Sequence, residues 1–266
     1  MKTESPRHAR DYVVDLAASG HYSFASADAR KALGVSADAA KLALHRLIRE
    51  QMIASPARGF YVVVPPEYRS LGCLPADQFI PALMQRAGLS YYAGLLSAAQ
   101  YHGAAHHRPQ KFQVLLAKPR RPINCGQVSV EFFVRKRLQD VSVQRFNTPR
   151  GTIQVSTPEA TAVDLVGYQH QVGGLDQIAT VLSELAERIE PQKLVSAAEI
   201  APTPWAQRLG YLLEQVGASD KAAALKVYVK KTARQAVPLL PSASSDALHR
   251  DPNWKLVVNV RVEAEQ

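Results

Sequence analysis

The sequence predicts an α+β protein, with an N-terminal winged helix-turn-helix and a larger C-terminal domain of mixed helices and strands. Three observations predict it. Two helical patterns within residues 26–51 are broken at Gly34-Val35, where Ser36 stands ready to cap the second. A hairpin pattern follows at once over residues 53–64, with Pro56-Ala57-Arg58-Gly59 at its tip. Beyond Pro65-Pro66, helical and strand patterns alternate to the end of the chain.

Taken in order, a first helix opens at Ser5 or Pro6, buries Tyr12, Val13 and Leu16, and stops at Gly20. The second spans Ser26–Leu33 and the third Ser36–Gln51. In the third, Ala40, Leu44, Leu47 and Ile48 fall at i, i+4, i+7 and i+8, one apolar face. Its other face carries Asp38, Lys41, His45, Arg46 and Arg49. Residues 65–72 read as a linker, and the boundary is placed near Pro66. This gives a DNA-binding domain over 1–66 and a second domain over 67–266.

In the second domain, helices are expected over Asp77–Arg86 and Ser90–Tyr101, then strands over Phe112–Ala117, Val128–Val134, Val143–Phe146 and Gly151–Ser156. Thr157-Pro158-Glu159 starts a helix, with a capping hydroxyl, proline at the first helical position and an acid beside it. Gly173-Gly174 breaks the chain before a helix over Leu175–Glu190, and Pro191 and Pro204 each open another. A polar tail leads into a last strand, Trp254–Val262.

Composition narrows the function. The 266 residues suffice for two domains, and no charge-free run approaches the roughly 18 residues of a membrane span. The first ten residues lack the apolar stretch of a secretion signal, so a cytoplasmic protein is expected. Cys73 and Cys125 have no C-x-x-C spacing and read as reduced thiols, neither a disulfide nor a zinc site.

The net charge of +9 is uneven. Residues 1–70 carry 10 Lys and Arg against 7 Asp and Glu, residues 71–150 carry 11 against 3, and residues 151–266 carry 11 against 13. The excess lies in the middle, at Lys118, Arg120 and Arg121 and at Arg135, Lys136 and Arg137. Such clusters suit a polyanion, because each cation set on a phosphate releases condensed counterions.

With the helix-turn-helix beside them, the partner expected is double-stranded DNA. On docking geometry, Ser36, Lys41 and His45 are placed to reach base edges, and Arg46, Arg49 and Arg58 to reach phosphates. His102, His106 and His107 are the nearest approach to a metal cluster, but no carboxylate lies close by, so no metal and no cofactor are expected.

The layout resembles the AbiEi family of antitoxins. The resemblance rests on Arg-Gly-Phe-Tyr at 58–61 closing the winged helix, on Y-Y-A-G-L-L-S-A-A-Q-Y-H-G at 91–103 running into A-A-H-H-R-P-Q-K-F-Q-V at 104–114, and on V-S-T-P-E-A-T-A-V-D-L-V at 155–166 before the glycine pair. It implies an antitoxin of a type IV toxin–antitoxin, phage-defence operon in bacteria. Such a protein represses its own operon at inverted repeats in the promoter. It counteracts a nucleotidyltransferase toxin, usually without a stable complex.

The resemblance also implies that Lys118, Arg120, Arg121, Arg135 and Arg137 form a second DNA-contacting surface. A monomer in solution that binds DNA cooperatively is expected, because residues 175–216 show no heptad seam.

No catalytic residues are assigned. No G-x-S-x-G or phosphate-binding glycine loop is present, and the middle segment offers only Asp77, Glu131 and Asp140 as acids. The alternatives are a nuclease that uses the winged helix for targeting, which needs several close carboxylates, and a stand-alone transcription factor.

Overall fold

The computed structural model describes residues 8–104, 110–243 and 248–264. The chain begins with α1 (Ala9–Ala18), β1 (Ser23–Ala25), α2 (Ser26–Leu33), α3 (Ala37–Arg49), β2 (Ile53–Ala57) and β3 (Phe60–Val63). It continues with α4 (Ala76–Ala87), β4 (Tyr91–Ala93), α5 (Leu95–Tyr101), β5 (Phe112–Leu116), β6 (Ile123–Cys125), β7 (Val128–Val134), β8 (Val143–Thr148) and β9 (Gly151–Ser156). Then come α6 (Pro158–Gly167), α7 (Leu175–Leu185), α8 (Pro191–Glu199), α9 (Thr203–Gln215) and α10 (Ser219–Thr232). The short strands β10 (Val237–Pro238), β11 (His249–Asp251) and β12 (Leu256–Val258) close it. The α+β class expected from the sequence is the one observed.

Two compact units emerge, each assembled from separated stretches. The first takes the chain up to Tyr91, then Gln110–Val134 and Arg145–Ile153; the second takes the rest. The hairpin thus ends where the linker was expected, while its compact unit runs on through α4 and β5–β7.

In the first unit, β1, β3 and β2 form an antiparallel sheet in that order, with Phe24 opposite Tyr61 and Ala54 opposite Val62. Each face of this sheet covers a different core. Ile53 and Val63 pack with Tyr12, Val13, Phe24, Leu33, Leu44 and Leu47 of the helices. Phe60, Val62 and Val64 pack instead with Phe79, Ile80 and Met84 of α4 and with Val114 and Val130. That explains the unbroken apolar run at residues 60–64: a strand buried on both sides has no polar face to alternate with. Strands β5 and β7 pair in parallel, Phe112 opposite Val130, and β6 pairs with β7 antiparallel.

The turn between β6 and β7 backs onto the chain ahead of α4. Gly126 has φ +58°, and a Cβ there would lie 2.8 Å from the Gly72 carbonyl carbon and collide with the Leu71 oxygen. The Gln127 N–H donates to that oxygen at 2.7 Å. This close approach brings together the two cysteines, both free and buried. The neighbouring Cys125 sulfur, together with burial, holds the Cys73 thiol up, and Cys73 in turn draws Cys125 down. Gly126→Ala is expected to cost about 1–3 kcal/mol for the positive φ alone, and more for the collision. A urea midpoint equal to the parent's would show that the turn relaxes freely.

In the second unit β4 and β9 run parallel, with Ala93 opposite Val155. Thr157 caps α6, its hydroxyl accepting from the Ala160 N–H, with Pro158 at the first helical position as its sequence pattern requires. Helix α6 is buried along its length from Glu159 to Val166. Strand β12 lies between β10 and β11.

Three expectations are corrected, and one helix is added. Residues 91–93 are strand and not helix, because the Tyr91-Tyr92-Ala93 run finds a partner in β9 and Gly94 then breaks the chain. The helix after the glycine pair ends at Leu185, followed by a short 3-10 turn. The last strand covers only Leu256–Val258, with Trp254 in the turn before it. Helix α10 has no clear counterpart in the sequence pattern, because Val227, Tyr228 and Val229 blur its periodicity and Val227 is exposed. The expected start of the first helix, at Ser5 or Pro6, lies outside the described residues.

Candidate nucleic-acid interface

Helices α2 and α3 are joined by a turn in which Gly34 adopts φ +64° at the end of α2. That left-handed conformation favours glycine. Ser36 then caps α3, its hydroxyl accepting from the Ala39 N–H at 3.2 Å. With Ala40, Leu44 and Leu47 buried, the outward strip of α3 is Asp38, Lys41, Leu42, His45 and Arg49, all exposed.

Arg46 is exposed as well but points aside. It lines a groove with His8, Leu33 and Glu50, where Glu50 pairs with Arg10 at 2.8 Å. Arg58 is exposed at the hairpin tip, and the Ser26 N–H donates to the Gly59 carbonyl at 3.2 Å, tying that tip to the start of α2.

Lys118, Arg120 and Arg121 lie between β5 and β6, in the same unit as α3. Lys118 and Arg121 are exposed, while the Arg120 guanidinium sits 5.5 Å from the Phe132 ring centroid. One basic residue that spacing did not single out is Arg150. Its guanidinium lies 3.4 Å from the Tyr22 ring centroid and pairs with Glu67 at 3.1 Å.

Arg135 and Arg137 fall in the second unit and part company there. Arg137 is exposed and pairs with Asp140 at 2.7 Å, an exposed contact that a phosphate could displace. Arg135 is withdrawn as a DNA contact. Its side chain is 4% exposed, its Nε donates to Asp164 at 2.9 Å, and its guanidinium lies over the Trp205 ring. A buried guanidinium could reach a phosphate only by leaving its carboxylate uncompensated, which is costly.

Around that pair the second unit is built on buried polar contacts. The Tyr92 hydroxyl donates to Asp164 at 2.6 Å. Burial pushes the Asp164 carboxyl up against the opposing pull of Arg135 and Tyr92. Burial and the neighbouring carboxylate keep Tyr92 protonated, and burial lifts Tyr168 to about 12. His102 is buried against the Ser156 carbonyl at 2.8 Å, and desolvation lowers its pKa. It is a neutral core histidine. His106 and His107 lie outside the described residues.

Of the acids weighed for a nuclease, Glu131 pairs with Lys111, Asp140 pairs with Arg137, and Asp77 sits in the first turn of α4. Among the described residues, no three His, Cys, Asp or Glu side chains gather as metal ligands, and no helix is long and apolar enough to cross a membrane.

Residues 92–215, which hold Tyr92, Arg135 and Asp164, match the family model for the AbiEi antitoxin C-terminal domain. Over these residues the chain is similar to the AbiEi antitoxins. The match supports an antitoxin role in a toxin–antitoxin pair. The AbiEi segment runs from β4 to α9, so both α3 and the hairpin lie outside it.

The fold as a whole is similar to the crystal structure of the RV2827C protein from Mycobacterium tuberculosis. The TM-score is 0.68 at 19% identity, over 95% of this chain and 92% of that one. An antigenic nucleotidyltransferase-like protein from Paracoccidioides brasiliensis reaches a TM-score of 0.36 at 13% identity, over 57% of this chain and 90% of that one, too low to be a likeness of fold. No curated protein matches the chain.

Proposed function

We propose that this antitoxin represses its own operon by binding inverted repeats in the promoter through a winged helix-turn-helix within residues 1–66. Residues 67–266 then act against a nucleotidyltransferase toxin of the type IV, phage-defence kind, in the cytoplasm and without a stable complex. The chain carries no chemistry of its own. The observation that supports this best is the outward strip of α3, with Lys41, His45 and Arg49 on a helix whose other face is fully committed to the core. Such a helix fits the major groove, and the Arg58 hairpin tip, held to α2, reaches the flanking backbone.

Ser36 and Lys41 meet base edges in this reading, with His45 beside them, while Arg49 and Arg58 hold phosphates. Arg46, turned toward α1, touches the backbone from the side. Lys118, Arg120 and Arg121 extend the phosphate contacts of the same unit, and Arg137 adds one from the other. The protein binds as a monomer, cooperatively at paired repeats.

Fluorescence anisotropy on the duplex upstream of its own gene, against a scrambled duplex at two salt concentrations, tests the proposal. A preference of about a thousandfold that survives the higher salt is expected. Equal binding that collapses with salt would overturn it. Lys41→Ala is expected to cost about 1–3 kcal/mol and to relax the base preference at one position. Arg49→Ala should instead weaken all duplexes alike and reduce the salt slope by about 1. Identical behaviour of the two variants would sink the division into base and phosphate contacts.

A further inference from the structure

A lone exposed leucine needs no explanation on most surfaces, but Leu42 is not placed like most. It is 61% exposed and stands in the middle of the outward strip of α3, one turn from Asp38 on one side and from His45 on the other. The apolar face of the same helix is filled without it, by Ala40, Leu44 and Leu47. Toward the helix N-terminus its neighbours are Asp38 and Ala39, so no other long apolar side chain of α3 stands on that side.

In the major groove one base carries an apolar group at its edge: thymine, through its C5-methyl. We propose that Leu42 reads a thymine methyl, flanked by the polar contacts of Lys41 and His45. The inference rests on the DNA-binding reading above and adds to it a base and an atom.

The test uses the full chain and its promoter duplex, with each thymidine in turn replaced by deoxyuridine, which removes only the methyl. One or two positions are expected to weaken the parent protein by roughly three- to tenfold, the scale of one buried methyl group. At those positions Leu42→Ala should lose affinity for the natural duplex to a similar extent and be indifferent to the deoxyuridine, a non-additive cycle. Leu42→Met, which keeps the apolar volume, should recover most of the loss.

If Leu42→Ala binds the natural duplex as the parent does, the inference is overturned. It is also overturned if the variant loses affinity yet keeps every deoxyuridine effect in full, which would point to a protein partner for this leucine. Failure of the DNA-binding reading itself is seen earlier and separately, as the parent's equal binding to promoter and scrambled duplexes.

Discussion

Replacing Asp164 by alanine is expected to lower the unfolding free energy by about 3–5 kcal/mol, the cost of stranding a buried charge. The Arg135 side chain is 4% exposed and Asp164 1%. Without the carboxylate, the guanidinium keeps the Lys136 carbonyl at 3.2 Å and the face of Trp205 as its partners among the described residues. The Tyr92 hydroxyl loses its 2.6 Å acceptor at the same time. At roughly 2–4 °C per kcal/mol for a chain of this size, the melting temperature should fall by about ten degrees.

Asp164→Asn keeps the shape and an oxygen for Tyr92, and should cost less. The paired change Arg135→Met with Asp164→Leu should recover much of the loss, because an apolar pair of similar volume carries no desolvation penalty. A shift below about 1 kcal/mol for Asp164→Ala would mean that water reaches the pair. Equal costs for the single and the paired variants would mean that packing, not charge, holds this part of the AbiEi segment together.

The second large effect is expected at Trp254, beyond the AbiEi segment. Its ring is fully buried over Gly210 of α9, where any Cβ would run into the indole. The indole N–H donates to Glu214 at 2.7 Å, and Gln207 donates to the Trp254 carbonyl at 3.2 Å. Trp254→Ala should therefore cost about 3–5 kcal/mol, read by circular dichroism because removing one of the two tryptophans changes the fluorescence signal itself.

Trp254→Phe fills most of the space and isolates the hydrogen bond. Although desolvation opposes it, Lys226 and the indole N–H together hold the Glu214 carboxyl below its ordinary value of 4.5. A carboxyl lowered by folding contributes stability that is complete above that ordinary value and lost as the pH falls through the folded one. Removing the indole donor should flatten this acid dependence. An unchanged pH profile in Trp254→Phe would assign the whole effect to Lys226.

Much of the N-terminal helices and hairpin was legible in the sequence. The Gly34 turn, the Ser36 cap and the 40/44/47 stripe are local codes, set by one residue's φ or by the helix repeat. The same holds for the Thr157-Pro158 start of α6. The outward strip followed too, since fixing the buried face of a helix fixes its opposite. The same rule places Leu42 on the strip, although its apolar side chain gives no signal of contact in the sequence.

The sequence alone therefore determined the class, the first three helices and the hairpin, and which face of α3 is free. Tertiary structure decided the rest. It made the hairpin a wall between two cores and brought Cys73 and Cys125 together across a glycine contact. It turned Tyr91–Ala93 into a strand by supplying β9 as partner. It also split one run of basic residues, leaving Arg137 exposed while Arg135 pairs with an aspartate 29 positions away. The physical reason is common to these cases. Helix repeats, caps and turns are settled within a few residues, whereas burial and pairing depend on groups that only the folded chain brings near.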